Sequence, residues 1–375
     1  MKIGITCYPT FGGSGVVATE LGHELARRGH FVHFISYAPP SRMNVFADRV
    51  RYHEVTVPSY PLFQYAPYDL ALATRMTDVA VHEALDLLHV HYALPHAISA
   101  HLAREMLAPR RLGIVTTLHG TDITIVGQDP SYLPVTRFGI ERSDAVTAVS
   151  EHLARVTREV FEPRKEIDVV PNFVDPERWK PDPQKPLRAC FAPGGERLFL
   201  HVSNFRPVKR VLDVVEVFDR VRRQVPSRLL MIGDGPDRPA AEELCRERGI
   251  APLVYFMGNT PAVGEVMPSA DLYVLPSDSE SFGLSALEAL ACGVPVLGYR
   301  AGGLPEVVDD GVTGFLGAVG DVGFLAAEAA ALFGDDSRYR AFSAAARERA
   351  VSRFSADAMV KLYLDIYARV LGDPA

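Results

Sequence analysis

Apolar runs alternate with amphipathic stretches along most of the chain. The short runs at 2–8, 31–37, 87–92, 114–118, 144–150 and 167–171 are read as strands. Between them, 16–28, 68–84, 95–106 and 151–161 carry apolar positions at helical spacing, and Gly29 closes the first of these. Residues 50–57 alternate apolar and polar, which predicts a strand near a sheet edge. A second series follows: strands at 198–202, 228–232, 253–257, 272–275 and 295–299, and helices at 211–223, 238–248 and 282–292. The stretch 175–195 separates the two series, with Pro176, Pro181, Pro183, Pro186 and Pro193 and little periodicity, and reads as an interdomain linker. Amphipathic helices at 336–352 and 356–371 end the chain. Strand–helix alternation of this kind predicts an α/β fold, with one doubly wound parallel sheet in 1–174 and another in 196–355.

Composition narrows the class. A chain of 375 residues can bury two substantial cores, and 48% hydrophobic with 23% charged residues is ordinary for a soluble globular protein. The formal charge of −7, without a lysine or arginine run, argues against nucleic-acid partners. Any anion site must then be a local concentration of positive potential, which fits a small-molecule enzyme. Cys7, Cys190, Cys245 and Cys292 form no CxxC pair, so neither a disulfide framework nor a thiolate metal site is expected, and Cys7 and Cys292 read as buried thiols. With no signal-peptide pattern and no apolar run of spanning length, the expectation is a cytoplasmic protein without a membrane partner. The oligomeric state stays open, a homodimer included.

Chemistry concentrates at 277–293. The strand at 272–275 stops at Pro276, a loop holds Glu280, and the next helix carries Glu288. Phe282 and Gly283 fall where the first backbone N–H groups of a helix lack partners, a place that attracts anions. Two carboxylates beside an anion-binding helix end suit a sugar attached to a diphosphate; a capped helix with both glutamates on its solvated side fits the spacing equally. At 202–210, Arg206 and Lys209 follow a strand end and could neutralise a diphosphate or be surface cations, while Arg210 reads as a solvated helix-start residue. The loop Gly12-Gly13-Ser14-Gly15 lies between a strand and a helix without matching G-x-G-x-x-G, so it is either a phosphate contact or a tight turn. Gly233-Asp234-Gly235-Pro236 and Met257-Gly258-Asn259 likewise end strands and read as turns or ligand loops. His119 stands at a strand end near Thr117 and Asp122. No histidine–acid pair calls for metal or serine-type nucleophile chemistry.

The run E-S-F-G-L-S-A-L-E at 280–288 resembles the E-x7-E signature of the family-4 retaining glycosyltransferases, which have the GT-B fold of two Rossmann-like domains facing a central cleft. That resemblance implies that the last helix, within 356–375, returns to the first domain. It gives Glu280 to hydroxyls of the donor sugar and Glu288 to the nucleotide ribose, with the backbone of Ser281, Phe282, Gly283 and Leu284 against the sugar and diphosphate. Gly13, Ser14 and Gly15 would face the diphosphate from the other domain, and Gly233, Gly258 and Asn259 would lie near the nucleotide. Lys209 and Arg206 would stabilise the departing diphosphate, and His119 would stand close to the sugar. Family members often read G-R-x-x-x-x-K here; Ser203-Asn204 replaces Gly-Arg, so Lys209 carries over directly and Arg206 only by displacement, with Asn204 placed among the donor contacts.

The runs at 4–22, 66–70, 89–97, 117–124 and 203–211 are similar to one subfamily, whose members open bacillithiol biosynthesis. This likeness implies transfer of N-acetylglucosamine from UDP-GlcNAc to the hydroxyl of L-malate, with retention and with neither cofactor nor metal. A small dicarboxylate needs compact cationic and hydroxyl contacts, for which Ser14, Arg42, Tyr92, Thr117 and Arg137 are the candidates. The competing readings are a transferase with an inositol phosphate or lipid acceptor, a UDP-sugar 2-epimerase, and a non-catalytic sugar-nucleotide sensor.

Overall fold

A computed structural model describes residues 1–10, 12–58, 61–184 and 187–372. The chain divides into two compact units, Met1–Asn172 with Ala356–Ala375, and Phe173–Ser355. Among the described residues, no helix is long and apolar enough to cross a membrane.

Unit 1 is built on seven strands: β1 Lys2–Thr6, β2 Phe31–Ser36, β3 Val50–Glu54, β4 Leu87–His91, β5 Gly113–Leu118, β6 Ala145–Ala148 and β7 Ile167–Val169. They lie in the order β3-β2-β1-β4-β5-β6-β7, and every neighbouring pair is parallel. Helices cover the sheet, so β4 and β5 are buried at every position, which is why they read as near-continuous apolar runs. β3 is an edge strand, as its alternation implies. The last helix, Ala356–Leu371, belongs to this unit and buries Met359, Val360, Tyr363, Ile366, Tyr367 and Val370.

Unit 2 repeats the plan with six strands: β8 Arg197–Val202, β9 Ser227–Ile232, β10 Val254–Gly258, β11 Leu272–Leu275, β12 Val296–Tyr299 and β13 Gly314–Gly317. Their order is β10-β9-β8-β11-β12-β13, again all parallel. Phe199, Phe218, Leu229, Met231, Val274 and Leu297 form the centre of its core. In both sheets the strand order reverses beside the first strand, between β1 and β4 and between β8 and β11. Ligands of open parallel sheets bind beyond the carboxyl ends of the strands at that reversal.

Four expectations need correction. Residues 175–195 are not a free linker, because Arg347 donates to the carbonyls of Pro176 at 2.9 Å and Trp179, and Arg188 pairs with Asp271 at 2.7 Å. Trp179 and Ala192 are buried, so the segment is part of unit 2, and the chain passes between units after Asn172 and after Ser355. Of that segment, Lys185 and Pro186 lie outside the described residues, as do 373–375 of the expected C-terminal region. Gly13, Ser14 and Gly15 are not loop but the first turn of the helix Gly13–Arg27. A Cβ at Gly15 would stand 2.6 Å from the carbonyl oxygens of Tyr8 and Thr10, so glycine is what lets this turn seat against the loop before it. The signature helix starts at Leu284, with Gly283 in the left-handed region as its N-cap, because Phe282 is drawn into the core against Phe354. Finally, β13 and the helices Leu133–Arg142 and Val322–Phe333 were not expected.

Candidate functional site

At the reversal point of unit 2, the loops leaving β8 and β11 meet. Lys209 follows β8, Glu280 follows β11, and Lys209 Nζ lies 2.6 Å from Glu280 Oε1. The same oxygen accepts the Ser277 hydroxyl at 2.7 Å, and the Glu280 carbonyl accepts the Gly303 N–H at 2.6 Å. The side chains are 21% and 11% exposed, so the pair is neither free on the surface nor sealed from a ligand. Glu288, one turn inside the helix Leu284–Ala291, is buried. The reading with both glutamates on a solvated helix face is therefore excluded. The N-cap of that helix, Gly283, has no side chain to cap it, and the first-turn N–H groups of a helix have no intrahelical partners.

The loop after β8 is shaped by a histidine that sequence reasoning passed over. His201 is buried beneath the Lys209–Glu280 pair, and its Nδ1 lies 2.8 Å from the Val274 carbonyl. A carbonyl only accepts, so Nδ1 carries the proton and Nε2 accepts the Ser203 hydroxyl at 2.7 Å. Burial pushes this imidazole down to about 4, which keeps it neutral. Ser203 Oγ in turn accepts the Phe205 N–H at 3.2 Å and helps hold Phe205 at a positive φ of 42°. A lone histidine inside the apolar strand Leu198-Phe199-Leu200-His201-Val202 was the available signal.

Two further loops close on this one. Gly233 sits at φ +119°, and a Cβ there would fall 1.7 Å from the Ser203 carbonyl oxygen, so only glycine permits the approach. Its N–H donates to the Gly258 carbonyl at 2.8 Å, which joins the ends of β9 and β10. Asn204, Arg206 and Asn259 are exposed, and the Arg206 guanidinium has no partner among the described residues. Arg210 is not simply solvated: it pairs with Asp213 at 2.7 Å and Asp278 at 3.2 Å, tying the two strand-end loops together. Ser281 is half-buried beside Glu280.

In unit 1 the reversal point gathers neutral aromatic and imidazole groups. His89 and His91 share one face of β4 and stack at 4.6 Å. His91 Nδ1 is 2.8 Å from Nε2 of His119, which follows β5, and the Tyr92 ring lies 5.5 Å from that of His119. Tyr8, beyond β1, packs against Tyr92 and His96. His96 Nδ1 donates to the His91 carbonyl at 2.5 Å, and the buried Nε2 atoms of His91 and His96 have no hydrogen-bond partner among the described residues. Burial and the nearby His96 imidazole push His119 down to about 3, and burial pushes His96 to about 4. Asp122 fixes the turn after β5 by accepting the N–H groups of Gly120 and Ala93 at 2.9 Å and of His119 at 3.2 Å. Its own pKa is raised to about 6 by burial, against those bonds.

The acceptor candidates divide. Ser14 is buried in the first helical turn, and Tyr92 is half-buried at a positive φ of 92°. Arg42 follows β2 at φ 65° and lies 3.7 Å from Glu20, and the Ser41 hydroxyl beside it donates to the Thr10 carbonyl at 2.8 Å. Those contacts hold the Arg42 loop against the loop leaving β1. Thr117 does not present its hydroxyl to a ligand, because His89 and Thr147 engage it at 2.7 Å inside the sheet. Arg137 is exposed and donates to the Glu162 carbonyl at 3.2 Å, capping the end of the helix Glu151–Phe161. No described contact joins it to the other candidates.

Residues 11–178 match Glycosyltransferase Family 4, and residues 187–349 match Glycosyl transferases group 1. The N-acetyl-alpha-D-glucosaminyl L-malate synthase of Bacillus anthracis is 48% identical over 375 residues, which is 100% of this chain and 98% of that protein. The D-inositol 3-phosphate glycosyltransferase of Nocardia farcinica is 31% identical over 88% of this chain and 78% of its own. Among solved structures, Anabaena Alr3699/HepE in complex with UDP-glucose superposes with a TM-score of 0.83 at 21% identity, over 98% of this chain and 100% of that one. Matched along its whole length and carrying both Rossmann-like sheets, the chain belongs to the family-4, group 1 glycosyltransferases of GT-B fold.

Proposed function

We propose that the protein transfers N-acetylglucosamine from UDP-GlcNAc to the hydroxyl of L-malate with retention of configuration, the opening step of bacillithiol biosynthesis, in the cytoplasm. The observation that carries this reading is the 48% identity, over the whole chain, to a protein named for that reaction. The geometry of unit 2 supports the chemistry. In the proposed reaction the bond between the anomeric carbon and the diphosphate breaks, and the malate oxygen bonds to that carbon on the same face. By family analogy, a donor phosphate oxygen takes the malate proton.

The protein then positions the reactants and stabilises charge. Lys209, Arg206 and the uncapped start of the helix Leu284–Ala291 receive the negative charge on the departing UDP. This charge set can neutralise the diphosphate without a metal ion. Glu280, held by Lys209 and Ser277, accepts hydroxyls of the sugar, and Glu288 accepts those of the ribose. Gly13, Ser14, Gly15, Asn204, Gly233, Gly258, Asn259, Ser281 and Phe282 complete the donor contacts. On the acceptor side, Arg42 grips a carboxylate, Ser14 and Tyr92 supply hydroxyls, and neutral His119 offers a hydrogen bond to the sugar.

The test is incubation of the purified protein with UDP-GlcNAc and, separately, L-malate, D-malate, citrate, glycerate and inositol 3-phosphate, with and without EDTA. The expected product has the mass of GlcNAc-malate, shows an α-anomeric coupling by proton NMR, and forms equally in EDTA. A product with inositol phosphate alone reassigns the acceptor, and UDP binding without turnover on any acceptor defeats the enzymatic reading.

A further inference from the structure

Three side chains that no step above uses converge at the sheet edge of unit 1. His33 lies in β2, His53 in the edge strand β3, and Glu83 ends the helix Tyr68–His82. The register sets His33 opposite Arg51 and Ile35 opposite His53, so the two histidines are diagonal neighbours across adjacent strands. His33 Nδ1 is 2.9 Å from His53 Nε2, and the rings stack at 5.2 Å. One ligand atom from each of the three residues lies within 4.8 Å of the others.

We propose that His33, His53 and Glu83 bind one late first-row divalent transition-metal ion, of the zinc class, with water in the remaining position. Two imidazole nitrogens and a carboxylate oxygen form a donor set for such an ion, whereas Mg²⁺ and Ca²⁺ require more oxygen ligands. Ligands at about 2.0–2.1 Å in a tetrahedron stand about 3.3 Å apart, so the imidazoles need to part by only a few tenths of an ångström. Glu83 must close by roughly 1.5 Å at most, within reach of its three rotatable bonds. Both imidazoles are available in the neutral, ligating form at pH 7. Burial and the neighbouring His53 push His33 down to about 4, and burial with Arg75 lowers His53.

Lys2, Arg51 and Arg75 also bear on these groups, and Lys2 Nζ donates to the Glu83 carbonyl at 2.9 Å. Their repulsion weakens the site and points to micromolar rather than nanomolar affinity. His53 and Glu83 are half-buried, which gives an ion access from solvent. A bound ion would clip the edge strand to β2 and to the end of the helix behind it. Because only the folded chain brings the three together, binding stabilises the fold by mass action.

Zinc titration of chelator-treated protein by calorimetry, with cobalt uptake followed by visible absorption, tests the site independently of any transferase activity. Wild type is expected to take up one equivalent, to develop the intense bands of four-coordinate cobalt, and to melt at a higher temperature with zinc. His53→Ala, at a half-exposed position, should weaken zinc binding at least about tenfold and abolish the zinc-dependent rise in melting temperature; Glu83→Gln should weaken it roughly tenfold. Absence of uptake by wild type at millimolar zinc overturns the proposal. Undiminished uptake by the doubly substituted His53→Ala/Glu83→Gln protein also overturns it, since the ion then sits elsewhere.

Discussion

Replacing Lys209 by Met removes a charge while keeping most of the aliphatic stem, and so separates two roles for this residue. It can neutralise the departing diphosphate, or it can merely hold Glu280, whose Oε1 lies 2.6 Å away. Loss of one preorganised charge or donor at a transition state lowers kcat by about 10²–10³, or roughly 3–4 kcal/mol. Loss of the ion pair leaves Glu280 with the Ser277 hydroxyl at 2.7 Å, and the partial exposure of both side chains discounts the cost to about 1–2 kcal/mol of stability. Lys209→Met should therefore lower kcat by about 10²–10³ and move the donor KM by less than about tenfold. The double variant Lys209→Met/Glu280→Gln isolates the structural part of the loss, because glutamine fits the same space without a stranded charge. Stability should partly return in the double variant while the rate does not, a coupling seen in urea unfolding and absent from steady-state UDP release. A single variant within about threefold of the wild-type kcat, or a double variant with its rate restored, would refute the leaving-group role.

Other sites give independent checks. Arg42→Gln should raise the malate KM about 10- to 100-fold with little change in UDP affinity by calorimetry, the loss of one charge-assisted carboxylate contact; equal effects on both ligands would remove Arg42 from the acceptor site. Arg347→Ala strips the donor from the carbonyls of Pro176, Trp179 and Ala291, and should cost about 2–3 kcal/mol in urea unfolding and speed proteolysis within 176–184; unchanged cleavage would restore that segment to a linker. His33, His89, His96, His119 and His201 are pushed down to about 4, 3, 4, 3 and 4, chiefly by burial. The unfolded chain then binds more protons below pH 6.5, so stability is full above that pH and falls toward pH 4, by at most about 1.4 kcal/mol per pH unit for each histidine. Asp122, raised to about 6, works in the opposite sense and offsets one of them; a urea midpoint flat between pH 7.5 and 5 would contradict the burial of these imidazoles.

What the sequence made legible follows from which forces act locally. Strands such as β4 and β11 are buried on both faces, so their apolar runs announce them, and Pro276 marks the end of β11. β13 has two glycines in four residues and exists because β12 pairs with it from Val296↔Gly314 to Tyr299↔Gly317. The helix Leu133–Arg142 contains Pro134, Val135, Thr136 and Gly139, poor helix formers that tertiary packing overrides. The helix Val322–Phe333 had a usable signal, Asp321 capping the Phe324 N–H at 2.9 Å, but its near-uniform apolar face hid the period. Prolines made 175–195 look like a linker, and contacts with residues distant in sequence, Arg347 and Asp271, show why it is not. The candidate site was legible through the resemblance of 280–288 to the E-x7-E signature, since the spacing of Glu280 and Glu288 alone fitted a solvated helix face equally, whereas His201 and the His89–His91–His119 stack depend on strand order. Thr117 was misjudged for the same reason, since a neighbouring strand supplies the Thr147 hydroxyl that turns it inward.

The two reversal points differ in electrostatic character, and that difference bears on acceptor choice. Unit 2 presents a lysine–carboxylate pair and a helix start, groups whose charge matches a nucleotide diphosphate and a polyhydroxylated sugar. Unit 1 presents imidazoles held neutral, phenols and a carboxylate, Asp122, fully engaged by backbone N–H groups. Neutral imidazoles can orient hydroxyls but cannot balance the two negative charges of a dicarboxylate. If unit 1 takes the acceptor, as proposed above, the compensating charge would come from arginine, and Arg42 is the candidate whose loop is fastened to the loop leaving β1. Burial keeps His119 neutral as well. The His119 ring is fixed by His91 and by the Asp122 turn, so it can offer a hydrogen bond in one set direction without carrying charge.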